Sequence, residues 1–204
     1  MIAVLDYGIG NLRSAQKAIQ KVSGDGVEVR LATTAAEASG AAGVVLPGVG
    51  AFGACMEALR RAGLDAVVKD AVGAGLPFLG ICVGMQMLFD GSDEAPDVPG
   101  LGVLSGQVRG LPAGVKRPQM QWNRLRVRRP DDPLLAGVSD GDWTYFVHSY
   151  APPHGAHTSA TTDYGGDMVA AAWRDNVWAT QFHPEKSGRV GLRLLSNFAA
   201  LAER

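Results

Sequence analysis

Cysteine is scarce in this sequence: Cys55 and Cys82 are the only two among 204 residues. That excludes a disulfide framework and suits a reducing compartment, the cytoplasm. A surplus of charge is also missing. Nineteen Lys and Arg stand against 20 Asp and Glu, for a formal net charge of −1. So balanced a chain lacks the field of a bulk nucleic-acid or membrane-surface binder. No apolar run reaches the ~18 residues that a bilayer span requires. The first run, Met1-Ile2-Ala3-Val4-Leu5, is cut short by Asp6 with no basic segment before it, so no signal peptide is expected. No repeat and no low-complexity tract stands out.

Several ligand motifs are incomplete. Tyr7-Gly8-Ile9-Gly10-Asn11 only loosely matches a dinucleotide fingerprint, because Arg13 occupies the place of the third glycine. It reads as a tight strand-to-helix turn, with Asn11 as N-cap. No Gly-Lys-Ser/Thr follows the Gly-rich segment 48–53, which excludes a Walker A loop. His154 and His157 are three apart in a Pro- and Gly-containing loop, with no carboxylate or cysteine to complete a metal set. They read as surface histidines, and no metal is expected.

What is present describes a globular chain, 47% hydrophobic and 19% charged. One domain over 1–204 is the natural count, with room for a large core. The first half alternates apolar strands, over 2–6, 27–31, 43–47 and a short run after Pro77, with helices over 12–22, 35–39, 52–62 and 65–74. Near-continuous apolar strands between helices are the signature of a parallel sheet covered on both faces. The second half reads as strands over 102–109, 122–128, 143–150, 159–163, 168–174 and 177–182, then a helix over 187–201. A hairpin is expected at Asp175-Asn176, and loops over 91–102 and 151–155. The expected fold is α/β, a central, mostly parallel sheet flanked by helices, with an antiparallel extension in the second half.

The chain is organised around 76–89. Gly80-x-Cys82-x-Gly84 sits between an apolar strand and a helical run ending Met85, Met87, Leu88, Phe89. That is the nucleophile-elbow pattern with a thiol in place of the hydroxyl. The glycines let the backbone turn sharply, and a helix N-terminus favours thiolate over thiol. The alternative is a buried structural cysteine beside two glycines.

Downstream, Gln181-Phe182-His183-Pro184-Glu185 follows a strand-like run. A residue before proline is pushed to extended geometry, and residues two apart on an extended segment share a side. Glu185 is therefore placed to bond one nitrogen of His183 and leave the other for Cys82, a nucleophile, base and orienter set. Taken alone, a histidine such as His183 is more commonly a capped loop residue. The segment Gly48-Val49-Gly50 follows a strand and brings backbone N–H groups near a ligand, either as an oxyanion hole or as a plain flexible connection. Lys116, Arg117, Arg124, Arg126, Arg128 and Arg129 cluster near Trp122. That cluster reads as a solvated strand face, a partner surface or a nucleic-acid patch.

Together these stretches resemble the class I (triad) glutamine amidotransferases. Within them they resemble the glutaminase subunits of imidazole glycerol phosphate synthase. The class is carried by Gly80-x-Cys82-x-Gly84-x-Gln86 and His183-Pro184-Glu185. The narrower likeness rests on Asp6-Tyr7-Gly8-Ile9-Gly10-Asn11, Pro47-Gly48-Val49-Gly50, Trp122-Asn123 and the Tyr145–Tyr150 run. Val83 replaces a usual Leu, and Gln119-Met120-Gln121 replaces His-Met-Gly in a stretch expected to face the partner. The resemblance implies a cofactor-free glutaminase with Cys82, His183 and Glu185 catalytic. It implies oxyanion donors on the backbone at Val83, Val49 and Gly50, and substrate held by Gln86, Ser149 and Tyr150. It also implies a separate (β/α)8 cyclase/synthase subunit, docked through Asn11, Met120, Trp122 and Lys186. That subunit would receive ammonia and make imidazole glycerol phosphate and AICAR in histidine biosynthesis.

Overall fold

The apolar runs of the first half become the middle of one eight-stranded sheet. A computed structural model of the chain describes residues 1–203. Strands β1 (Ile2–Leu5), β2 (Val29–Ala32), β3 (Gly43–Gly48) and β4 (Phe78–Cys82) alternate with helices. These are α1 (Leu12–Val22), α2 (Ala35–Ala38), α3 (Phe52–Arg61) and α4 (Leu64–Gly73). β4 runs directly into the short helix α5 (Val83–Met87). The remainder is mostly strand. Its first members are β5 (Gly91–Ser92), β6 (Gln107–Gly110), β7 (Gln119–Arg124), β8 (Arg126–Val127) and β9 (Trp143–His148). β10 (Tyr150–Ala151), β11 (Thr158–Asp163), β12 (Asp167–Arg174), β13 (Val177–Thr180) and helix α6 (Gly188–Ala202) complete it.

The sheet order is β2-β1-β3-β4-β13-β12-β11-β8. The first five strands are mutually parallel, and the last three continue antiparallel. Every residue of β1, β3, β4 and β13 is buried, as strands covered on both faces must be. β3 and β4 are in register up to Gly48 opposite Cys82, so the Gly-rich loop and the elbow leave the sheet side by side. β13 flanks β4 on its other side and delivers His183 to the same edge.

The antiparallel half departs from expectation in places. Only Gln107–Gly110 of the strand expected over 102–109 forms, because Gly102 and Gly106 take φ of 64° and 120°. The strand expected over 122–128 breaks at Leu125, which is buried and bonds through its backbone to Asp142 and Gly141. Its two pieces join different sheets, β7 with β9 and β8 with β11. The hairpin at Asp175-Asn176 forms as a two-residue turn, Arg174 opposite Val177, with Asp175 at φ 53°. Asn11 precedes α1 but makes no side-chain cap.

Half of the basic cluster is paired with carboxylates. Arg126 pairs with Asp163 and Asp167, Arg128 with Asp167, and Arg129 with Asp131. Arg129 also lies 4.0 Å over the Trp173 ring, and Arg124 lies 4.9 Å over Trp143. This is a solvated strand face laced with ion pairs.

Candidate active site

Cys82 ends β4 with φ 56° and ψ −113°, a conformation costing a non-glycine residue ~1–3 kcal/mol. The flanking glycines are there for packing. A Cβ on Gly84 would lie 1.9 Å from the Leu46 carbonyl oxygen, and one on Gly80 would lie 2.9 Å from the Gly84 carbonyl oxygen. α5 is thus pressed against β3 and β4, and the strained turn is held from both sides. The helix spans Val83–Met87, two residues earlier than the Met85–Phe89 run suggested, and at five residues its dipole is modest.

His183 is extended, at φ −95° and ψ 100°, as Pro184 requires. Glu185 lies on a single 3-10 turn, Pro184–Lys186, rather than on a continuing strand. The turn still brings Glu185 Oε1 to 2.8 Å from His183 Nδ1. Both side chains are buried, 4% and 2% exposed. The backbone here is laced to β9. His183 N–H donates to the Tyr145 carbonyl at 2.9 Å, and the Ser187 hydroxyl donates to the His183 carbonyl at 2.6 Å while accepting from Tyr145 N–H.

Burial pulls the His183 imidazole down, but the Cys82 sulphur and the Glu185 carboxylate outweigh it and push the group up to about 10. With Nδ1 held by Glu185, Nε2 is the nitrogen left for chemistry.

Cys82 and His183 open into a cavity of about 380 Å³. Val49, Gly50, Val83, Gln86, Ser149, Tyr150 and Lys186 line it too, so most of the expected site residues converge. Asn11 borders a small crevice behind the imidazole, shared with Glu185 and the 47–49 segment. Met120 and Trp122 lie outside the cavity on β7, 61% and 47% exposed. Gln119 does not face outward as the stretch was expected to: it is fully buried.

The expected substrate holders are themselves tied down. Gln86 Nε2 donates to the Tyr150 carbonyl at 2.9 Å and to Gln181 Oε1 at 3.0 Å, which leaves Gln86 Oε1 for a ligand. The Ser149 carbonyl accepts from Leu111 N–H. His148, also on the cavity wall, is pulled down to about 4, chiefly by burial and also by His183 nearby. The ring is therefore neutral, with Nδ1 2.8 Å from the Tyr150 carbonyl and Nε2 2.8 Å from the Gln119 side-chain amide. Nδ1–H donates to Tyr150, so Nε2 must accept, and the Gln119 amide N–H is the group to supply it. Gln119 Oε1 is the atom placed at that distance, so the bond requires the amide turned over, which gives the otherwise partnerless Gln119 nitrogen its partner.

Two further polar groups at the site, Glu94 on the cavity wall and Gln181 behind Cys82, were not among the expected site residues. Glu94 lines the wall, and its Oε2 accepts from Phe52 N–H at 2.7 Å. Its loop carries no periodicity that would flag it. Gln181, buried beside Cys82 with Nε2 at 3.9 Å from the sulphur, was legible: the period of two linking His183 to Glu185 reaches it one step earlier. His154 and His157 lie elsewhere, on a cleft of about 580 Å³. His157 is buried against Phe89, contrary to the surface reading, and its Nε2 bonds the Pro153 carbonyl. Among the described residues, no group of three or more His, Cys, Asp and Glu is arranged to hold a metal.

Comparison with known proteins bears on the family and the fold. The glutamine amidotransferase class-I family matches residues 3–201. The chain is 50% identical to imidazole glycerol phosphate synthase subunit HisH of Deinococcus radiodurans, across 97% of this chain and 92% of that one. It is 45% identical to the HisH subunit of Syntrophotalea carbinolica, across 97% and 98%. Among solved structures, a glutamine amidotransferase superposes with a TM-score of 0.77 at 23% identity, covering 100% of this chain and 99% of that one. A second, a putative GMP synthase subunit from Thermoplasma acidophilum, superposes with a TM-score of 0.73 at 19% identity over 99% and 93%.

Proposed function

The chain belongs to the class-I glutamine amidotransferase family, and from that premise we propose how its residues divide the work. It is the glutaminase subunit of an imidazole glycerol phosphate synthase: it hydrolyses glutamine to glutamate and passes the ammonia on for histidine biosynthesis. The near-full-length likeness to HisH subunits at 42–50% identity carries that reading. As a subunit it has a partner, which we read as a (β/α)8 cyclase/synthase chain that makes imidazole glycerol phosphate and AICAR. We read the whole chain as one glutaminase domain working in the cytoplasm. Among the described residues, no helix is long and apolar enough to cross a membrane.

The buried His183–Glu185 pair beside a strained cysteine supports the following steps. His183 Nε2 takes the Cys82 proton, and the sulphur attacks the side-chain amide carbon of glutamine. Backbone N–H groups at Val83 and in the 49–50 segment receive the charge that develops on the oxygen, each such donor being worth ~3 kcal/mol. His183 returns the proton to the amide nitrogen, the C–N bond breaks, and ammonia leaves a γ-glutamyl thioester. Water, deprotonated by His183, attacks the thioester and releases glutamate. Gln86 Oε1 and the Ser149-Tyr150 stretch hold the substrate. The Glu94 carboxylate, facing the cavity, suits its α-ammonium group.

Docking through Met120, Trp122, Asn11 and Lys186 would place the partner over the cavity mouth. Met120 and Trp122 are the exposed apolar residues of β7, with Trp122 edge-on to Tyr145, and Lys186 borders the cavity itself. The test is glutamine labelled with ¹⁵N in its amide, supplied to the chain together with a purified synthase subunit and its ribosyl-aminoimidazole substrate. Label is expected in the imidazole product. Cys82→Ala should abolish transfer from glutamine while the complex still uses free ammonia. Glutamine hydrolysis retained by Cys82→Ala would overturn the assignment of the nucleophile.

A further inference from the structure

The second cysteine has no part in the chemistry above, yet it touches the loop that does. Cys55 lies on the first turns of α3, fully buried, with Sγ 3.2 Å from the Val49 carbonyl oxygen. Burial pushes its thiol up, so at neutral pH it remains S–H and can donate. Beside it, at the other end of the same loop, the Tyr7 hydroxyl donates to the Pro47 carbonyl at 2.7 Å. Burial raises the Tyr7 hydroxyl too, which keeps it a donor.

Three peptide units make up the 47–50 segment. The Pro47–Gly48 unit is fixed through its carbonyl by Tyr7, and the Val49–Gly50 unit through its carbonyl by Cys55. Among the described residues, no side chain bonds the unit between them at the Gly48 carbonyl or the Val49 N–H; it is held only by the backbone ladder, where Gly48 pairs with Cys82. A trans peptide carries its carbonyl and N–H on opposite edges. Fixing the Val49 carbonyl toward α3 therefore turns the Gly50 N–H away from Cys55, and Gly50 lines the Cys82 cavity whereas Cys55 does not.

We propose that Cys55, with Tyr7, is a positioning residue that holds the two outer peptides of the oxyanion loop. Reorientation is thereby confined to the Gly48–Val49 peptide. The consequence is a loop with one moving part. Gly48 itself is packed, a Cβ there lying 2.7 Å from Gly84 N, so the peptide turns at Val49 and the fixed neighbours keep the motion out of β3 and α3. Cys55 touches no reacting atom. It acts by limiting the conformations in which Val49 N–H and Gly50 N–H are presented together.

The inference rests on the glutaminase reading, and its test separates the two. Glutamate release is measured for the chain saturated with its synthase partner and a bound acceptor analogue, as kcat and KM, in wild type, Cys55→Ala, Cys55→Ser and Tyr7→Phe. Cys55→Ala is expected to lower kcat roughly two- to tenfold, the scale of one neutral hydrogen bond, with KM for glutamine unchanged within about twofold. Cys55→Ser keeps a donor at the same place and should recover most of the loss. Tyr7→Phe should reproduce the Cys55→Ala pattern. Ammonia-dependent synthesis is unaffected in all four. If Cys55→Ala keeps wild-type kcat, or if Ser and Ala are equally impaired, Cys55 only fills space and the proposal is wrong. Absence of turnover in wild type would instead overturn the glutaminase reading.

Discussion

Two turns leave adjacent strands at one edge of the sheet, and they are built on opposite plans. The elbow after β4 is over-determined: its glycines have no room for a side chain, with backbone oxygen 1.9 Å from a Cβ at Gly84. The loop after β3 begins as tightly, with a Cβ on Gly48 2.7 Å from Gly84 N, but opens at its tip, where a Cβ on Gly50 would meet nothing within 4 Å. The nucleophile is thus held in one strained conformation, while the donor that must meet the developing charge sits in a segment with freedom to turn. An enzyme that makes ammonia for another subunit gains from that arrangement. A fixed thiol is ready at all times, and a movable donor decides when it reacts.

The comparison breaks most severely at Gly84. Gly84→Ala drives a methyl group into the Leu46 carbonyl, backbone against backbone, and should destabilise the chain by more than ~4 kcal/mol. Urea unfolding of the purified variant measures this, and a variant as stable as wild type would refute the packing account of the elbow.

Next in size is the orienting carboxylate. Glu185→Gln should slow glutaminase turnover by ~10⁴, the scale seen when a triad loses its orienter, and less than Cys82→Ala does. It should also shift the pH profile. The His183 imidazole is pushed up to about 10 in part by Glu185, so losing that carboxylate lowers it. The alkaline limb of kcat/KM should therefore move to lower pH. The same linkage bears on folding. A folded value above the ordinary 6.5 gives stability fully present below pH 6.5, lost as pH rises through about 10. An unmoved alkaline limb would mean that Glu185 does not set the ionisation of His183.

The smallest effect is expected at the loop tip. Gly50→Ala meets no neighbour, but the residue sits at φ 83°, where a Cβ costs ~1–2 kcal/mol. The chain should fold with near-normal stability and show a change of only a fewfold in activated turnover. A loss as large as that of Gly84→Ala would mean that the two turns are built alike.

How much of this was legible in the sequence follows the same divide. The parallel half was read almost to the residue, with α1 over Leu12–Val22 and the elbow strand ending at Cys82, because apolar runs and helical spacing are local signals. The antiparallel half was blurred. Whether 122–128 is one strand or two depends on Leu125 finding Asp142 and Gly141, partners that the local pattern does not reveal. The triad was visible as two short motifs. The groups that brace it, Gln119 on His148, Glu94 on the start of α3 and Cys55 on Val49, each bridge distant segments and leave no periodic trace.

The central claim is that the nucleophile is permanently set and the oxyanion loop is the part that partner binding switches. A partner can shift such an equilibrium only by contacting the two loop states differently. The direct test is steady-state glutamate release by the wild-type chain alone, with its synthase partner, and with partner plus an acceptor analogue. The chain alone should be very slow. Full assembly should raise turnover by ~10²–10³ or more, the scale of gaining one oxyanion donor. Equal rates in all three conditions would show that the loop is not the switch.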